Sequence, residues 1–105
     1  MLDIDKIYKT IIQAAEEWSA ADDEARKLKE MQKVILSEII NHTEGESFAE
    51  RKSIAQASPE YKLHVTNMVT AKTKANLALA RYKAAQSLGE LRRSEESTRR
   101  AEMRL

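Results

Sequence analysis

Apolar residues recur along the first 41 positions at alternating spacings of three and four. With Ile4 as position a of a heptad, the a series reads Ile4, Ile11, Trp18, Ala25, Gln32 and Ile39. The d series reads Ile7, Ala14, Ala21, Leu28 and Ile35, and Gln32 is the single polar residue in either series. Such spacing keeps side chains on one face of an α-helix, so it predicts a helix made to lie along another. Asp3 suits the N-cap, and the helix is expected over residues 3–41. Its stripe is uneven. Tyr8 and Ile12 widen it near the start, and Met31, Val34, Leu36 and Ile40 widen it near the end. Between them lies a waist of Ala14, Ala15, Ala20, Ala21 and Ala25 beside Asp22-Asp23-Glu24. Alanine lets two helices approach closely, whereas the wider ends ask for more than one neighbour.

The pattern then breaks at His42-Thr43-Glu44-Gly45-Glu46, where Gly45 is the residue best suited to a positive φ. Ser47-Phe48-Ala49-Glu50 fits the capping box S-x-x-E and predicts a short helix over 47–57, with Phe48, Ile54 and Ala55 on its buried side. Ser58-Pro59 reads as an N-cap followed by proline at the first helical position, so a third helix is expected over 59–104. Its apolar positions are Tyr61, Val65, Met68, Ala75, Leu79 and Tyr82, flanked by Ala71, Ala78 and Ala85. This register is looser than the first and drifts at Leu88 and Leu91, as a 3.6-residue turn drifts against a heptad. Gly89 is a candidate bend, and a monomer is expected to fray after Glu96. Two long helices joined by residues 42–59 should fold back antiparallel. The expected fold is therefore all-α and one domain: a long, coiled-coil-like helical hairpin with a short helix at its turn. Two helices bury little surface, so two or more hairpins are expected to assemble into a helical bundle, a homodimer or higher oligomer.

Composition fits that picture and narrows the chemistry. The 105 residues are 33% charged and 5% aromatic, with one Pro, two Gly and no Cys, a profile of long helices that excludes disulfides and thiolate metal sites. No apolar run is long enough to span a bilayer, and MLDIDKIYK has neither the basic start nor the apolar core of a signal peptide. A cytoplasmic protein that does not bind membranes is expected. The net charge of +1 conceals an asymmetry: residues 1–60 hold 8 Lys/Arg against 13 Asp/Glu, and residues 61–105 hold 10 against 4. Opposite signs on two antiparallel arms should attract each other, and the basic arm is also what a nucleic-acid footprint looks like.

Candidate catalytic chemistry is thin. Glu16-Glu17, Asp22-Asp23-Glu24 and Glu95-Glu96 are runs on a helix surface, without the desolvation that separates the pKa values of a catalytic pair. Glu38 and His42, at i and i+4, could share a metal, but neither His42 nor His64 follows the E-x-x-H pattern of di-metal bundles. No nucleophile motif or phosphate-cradling glycine loop occurs. The expectation is no enzyme, no cofactor and no resident metal. The distinctive segment is the C-terminal one, where Arg93, Arg100 and Arg104 share one helical face and Arg92 and Arg99 the next. Guanidinium groups so arrayed grip phosphates or an acidic protein surface. Glu95, Glu96 and Glu102 interleave with them, and Arg92–Glu96 and Glu95–Arg99 are spaced as ion pairs within the helix.

At Ser58-Pro59-Glu60-Tyr61, and again over Arg93-Ser94-Glu95-Glu96-Ser97-Thr98-Arg99-Arg100-Ala101-Glu102-Met103, the chain resembles a group of small helical phage and prophage proteins. These share S-x-E-Y, a long Ala-rich helix and an ending close to R-S-x-x-S-x-R-A-E. The resemblance covers about residues 47–104 and rests on short motifs. It implies an accessory role in phage DNA recombination or replication, or in countering host defences, inside the bacterial host. The expected function is binding to a host or phage protein. Nucleic-acid binding by the Arg92–Arg104 segment, or a purely structural oligomeric scaffold, are the alternatives the residues leave open.

Overall fold

The computed structural model describes residues 3–104. They form three α-helices, α1 over Ile4–Asn41, α2 over Phe48–Gln56 and α3 over Pro59–Arg104. The described residues contain no strand. The fold is the all-α helical hairpin that the heptad predicts, with α2 at the turn. Contacts group the chain into two units, Met1–Ala20 with Asn76–Leu105, and Ala21–Ala75.

Local chemistry sets the helix ends. At the start of α1 the Asp3 carboxylate accepts from the Asp5 N–H at 3.1 Å, and the Asp3 carbonyl accepts from the Ile7 N–H. At its other end the His42 and Thr43 N–H groups donate to the Ile39 and Ile40 carbonyls, and the Thr43 hydroxyl donates to the Ile39 carbonyl at 2.6 Å. This tightened turn satisfies the Ile39 and Ile40 carbonyls with no left-handed residue, and no described glycine has a positive φ. Gly45 therefore serves otherwise than expected: a Cβ there would stand 2.8 Å from Cγ of Arg51. The capping box before α2 forms, with the Ser47 hydroxyl accepting from the Glu50 N–H at 3.1 Å. Its return arm lands one residue early, since the Glu50 carboxylate accepts from the Glu46 N–H. Ser58 caps α3 by accepting from the Tyr61 N–H at 3.2 Å.

In the Ala21–Ala75 unit, α1 and α3 meet along alanines. Ala25, Ala71 and Ala75 form the core, with Ala21 and Leu28 packed against it. Ala55 is the residue α2 buries, while Phe48 is 60% exposed and Ile54 47% exposed, which corrects the expected buried side. A nine-residue helix lays one edge on its support, and a methyl side chain is what allows that edge to come close.

In the unit formed by Met1–Ala20 and Asn76–Leu105, Ile7, Ala14, Ala78 and Ala85 are buried. Trp18 and Tyr82 stack with ring centroids 5.6 Å apart and an interplanar angle of 22°. α3 runs through Gly89 without interruption. A Cβ at Gly89 would lie 3.1 Å from Cδ1 of Ile11 and 3.7 Å from Cγ2 of Ile7, so glycine is there to let α1 side chains in. Beyond Glu96 the helix continues to Arg104 with every residue exposed.

The register of α3 is tighter than its large apolar residues indicate. Its sheltered positions are Tyr61, His64, Met68, Ala71 and Ala75, continuing through Ala78, Tyr82, Ala85, Gly89, Arg92 and Glu96. That is an unbroken alternation of three and four. Val65 is exposed and His64 stands on the seam instead; Leu79 is a half-buried neighbour of Ala78, and Leu88 and Leu91 are exposed. The drift does not occur. A seam facing isoleucine, leucine and tryptophan accepts small partners, and the bulkier side chains of α3 fall to its flanks.

Candidate interaction surface

The seam residues of α1 lie where the heptad puts them. Ile7, Ala14 and Ala25 are buried, and Ile11, Trp18, Ala21, Leu28, Ile35 and Ile39 are half-buried. Ile4 departs from this, being 41% exposed. Gln32, the polar exception, is matched across the seam: its side-chain amide donates to the Tyr61 hydroxyl at 2.9 Å. Nearby, Nε2 of the buried His64 sits 2.9 Å from the Leu28 carbonyl, which accepts from that nitrogen in its protonated tautomer. Both are helix-to-helix hydrogen bonds inside the Ala21–Ala75 unit.

The other unit carries a cleft of about 270 Å³ where the start of α1 lies beside α3. Ile4, Ile7, Tyr8 and Ile11 line it from α1, and Gln86, Gly89, Glu90, Arg92, Arg93 and Glu96 line it from α3. Three of these α3 residues are seam positions. Because Gly89 has no side chain and Arg92 and Glu96 are polar, the seam there is not filled by apolar packing. Tyr8 in its wall and Ile12 beside it are 59% and 56% exposed, one helical turn apart and in line with Ile4.

Arg92 lies in the wall of this cleft with its side chain only 12% exposed. It pairs with Glu96 at 3.4 Å and approaches Glu95 at 4.0 Å. Its Nε and Nη1 are nevertheless buried without a hydrogen-bond acceptor. A guanidinium presents five N–H donors, and a buried donor without an acceptor is costly. The site is thus short of an acceptor as well as of apolar cover. The remaining arginines of the segment are exposed. Arg100 reaches Glu96 at 4.0 Å, while Arg93, Arg99 and Arg104 make no ion pair among the described residues. The expected Glu95–Arg99 pair is not formed, Glu95 approaching Arg92 instead.

Ion pairs among the described residues run within single helices, as in Asp22–Arg26 at 3.0 Å and Asp23–Lys27 at 3.1 Å. The neighbouring Asp23 carboxylate, by hydrogen bond and by charge, holds the Lys27 ammonium above its ordinary pKa. Among the described residues the opposite charges of the two arms thus form no ion pair across the seam, and their attraction acts at longer range.

Glu38 and His42 share a hollow of about 560 Å³ with Ile35, Ile39, Thr43, Ser58 and Glu60. Among the described residues no group of three or more His, Cys, Asp or Glu is placed to hold a metal ion. No described helix is long and apolar enough to cross a membrane.

Sequence reasoning located the arginines and missed the cleft. The signal was the three-four alternation counted strictly from Tyr61, which reaches Gly89, Arg92 and Glu96 once small and polar residues are allowed on a seam. Comparison with family models, with curated proteins and with solved structures returned no match.

Proposed function

We propose that this is a non-catalytic binding protein, acting through protein–protein contacts as a homo-oligomer. The observation that carries this reading is the surface where the α1 start meets the C-terminal part of α3. Exposed Ile4, Tyr8 and Ile12 there adjoin a cleft whose arginine lacks acceptors. Apolar area ringed by charge is what an interface core and rim require. The exposed Arg93, Arg99, Arg100 and Arg104 would contact an acidic partner surface, through bidentate pairing to carboxylates. The setting rests on the resemblance of residues 47–104 to phage and prophage proteins: an accessory or inhibitor in DNA recombination or replication, or in counter-defence, in the cytoplasm of the bacterial host.

The exposure of those same four arginines also favours nucleic acid as a second reading. Binding to a short labelled DNA duplex, titrated with salt from about 50 mM upward, separates the two. The protein-binding reading expects no DNA affinity at the lowest salt, and retention of a stoichiometric host or phage protein that the Arg93→Ala, Arg99→Ala, Arg100→Ala, Arg104→Ala variant loses. A steep linear fall of log affinity with log salt would replace it with the nucleic-acid reading. A variant that retains its function would leave a structural scaffold.

A further inference from the structure

We infer that the cleft is one half of a two-fold interface, and that its occupant is α1 of a second copy of the chain. The inference rests on the homo-oligomer reading and specifies its surface. Ile4, Tyr8 and Ile12 follow one another at intervals of four and face solvent together. The stripe reads the same in both directions about Tyr8. An isologous contact demands that property, since the patch must complement itself after a two-fold rotation. Two such helices packed antiparallel set Tyr8 against Tyr8 and Ile4 of each against Ile12 of the other.

Charge then fixes what lies at the ends. Glu16 stands one turn beyond Ile12, so it arrives one turn beyond Ile4 of the other copy, at the part of α3 that lines the cleft. There Arg93 is exposed, and beneath it Arg92 keeps two buried nitrogens without acceptors. Glu16 is likewise exposed and makes no ion pair among the described residues. Each copy thus offers an unused carboxylate where the other has guanidinium donors. The same operation covers the exposed isoleucines and closes the mouth of the cleft. A small-molecule occupant fits less well, because about 270 Å³ falls below the ~300–1,000 Å³ usual for such sites and the apolar stripe continues outside it.

The test uses the full chain. Sedimentation should show a dimer for the wild type and a monomer with unchanged helical circular dichroism for Tyr8→Lys. Glu16→Arg and Arg93→Glu should each weaken the dimer at least about tenfold, and together restore it to within a few-fold. Since the chain has no cysteine, register is read independently. On oxidation, Ile4→Cys mixed with Ile12→Cys should cross-link between chains, whereas each variant alone should not. A Tyr8→Lys protein that remains a dimer, a failed charge rescue, or cross-linking by the single variants would overturn this interface while leaving self-association standing. A wild type monomeric at about 100 µM would overturn the homo-oligomer reading, and this inference with it.

Discussion

The two units use small residues on the same seam for opposite ends. Around Ala25, Ala71 and Ala75 the small side chains close the seam, and the polar groups beside them find each other: Gln32 with Tyr61, His64 with the Leu28 carbonyl. Around Gly89 the missing side chain admits Ile11, but the next seam positions are Arg92 and Glu96, so a cleft remains and Arg92 lacks acceptors. One unit satisfies its buried polar groups internally, and the other keeps two buried guanidinium nitrogens without acceptors. The lesson is that a heptad fixes which positions face inward, while the volume and polarity placed there decide whether the seam is finished within the chain.

The largest expected effect comes from breaking the finished seam. Ala75 is 2% exposed, and glutamate in its place would carry a charge into a site with no partner. Ala75→Glu should destabilise by about 3–5 kcal/mol, read as a lowered midpoint in urea followed by circular dichroism. A change below about 1 kcal/mol would mean that the alanines are not tightly apposed.

Gly89 probes the unfinished seam, and two substitutions should act in opposite directions. Alanine relieves the roughly 1 kcal/mol that glycine costs within a helix. The Cβ it adds comes tightest against the tip of Ile11, at 3.1 Å, on a side chain with the open cleft beside it, and meets Ile7 at an ordinary 3.7 Å. Gly89→Ala should therefore raise the thermal midpoint slightly. Gly89→Leu adds a branched side chain against Ile11 and Ile7 and should lower stability by about 1–3 kcal/mol. Trp18, the chain's single tryptophan, reports this locally, because its stack on Tyr82 lies in the same unit. If both substitutions stabilise, the cleft is roomier than the Ile11 contact implies.

Much of this was legible in the residues. The α1 heptad named the seam from Ile7 to Ile39, and Ser47 and Ser58 announced the two later helices, because capping and periodicity are local properties of the chain. What was not legible was where volume had to be small. Val65, Leu79, Leu88 and Leu91 drew the α3 register toward themselves by their hydrophobicity, yet the seam took His64, Ala78 and Gly89. Hydrophobicity marks what a helix can bury, whereas the facing helix decides what fits. Phe48 and Ile54 show the same limit, since nothing in a nine-residue helix says which edge will be covered. The arginine segment was visible as composition. Its division into a sheltered Arg92 and exposed Arg93, Arg99, Arg100 and Arg104 depends on the start of α1, which is remote in sequence.

The smallest expected effect falls on Gln32, and it sharpens the comparison most. A polar residue at position a of an otherwise apolar series ordinarily weakens a coiled coil while fixing its register. Here the amide is bonded to the Tyr61 hydroxyl, and both residues are half-buried, so removing the amide leaves that hydroxyl within reach of water. Gln32→Leu should therefore change stability by less than about 1 kcal/mol, the lost hydrogen bond being offset by apolar burial. A loss above about 2 kcal/mol would show that the Tyr61 hydroxyl is stranded, and that the Ala21–Ala75 unit holds its seam by polar pairing more than by its alanines. If stability is kept but extra oligomers form, the amide is there to choose one register.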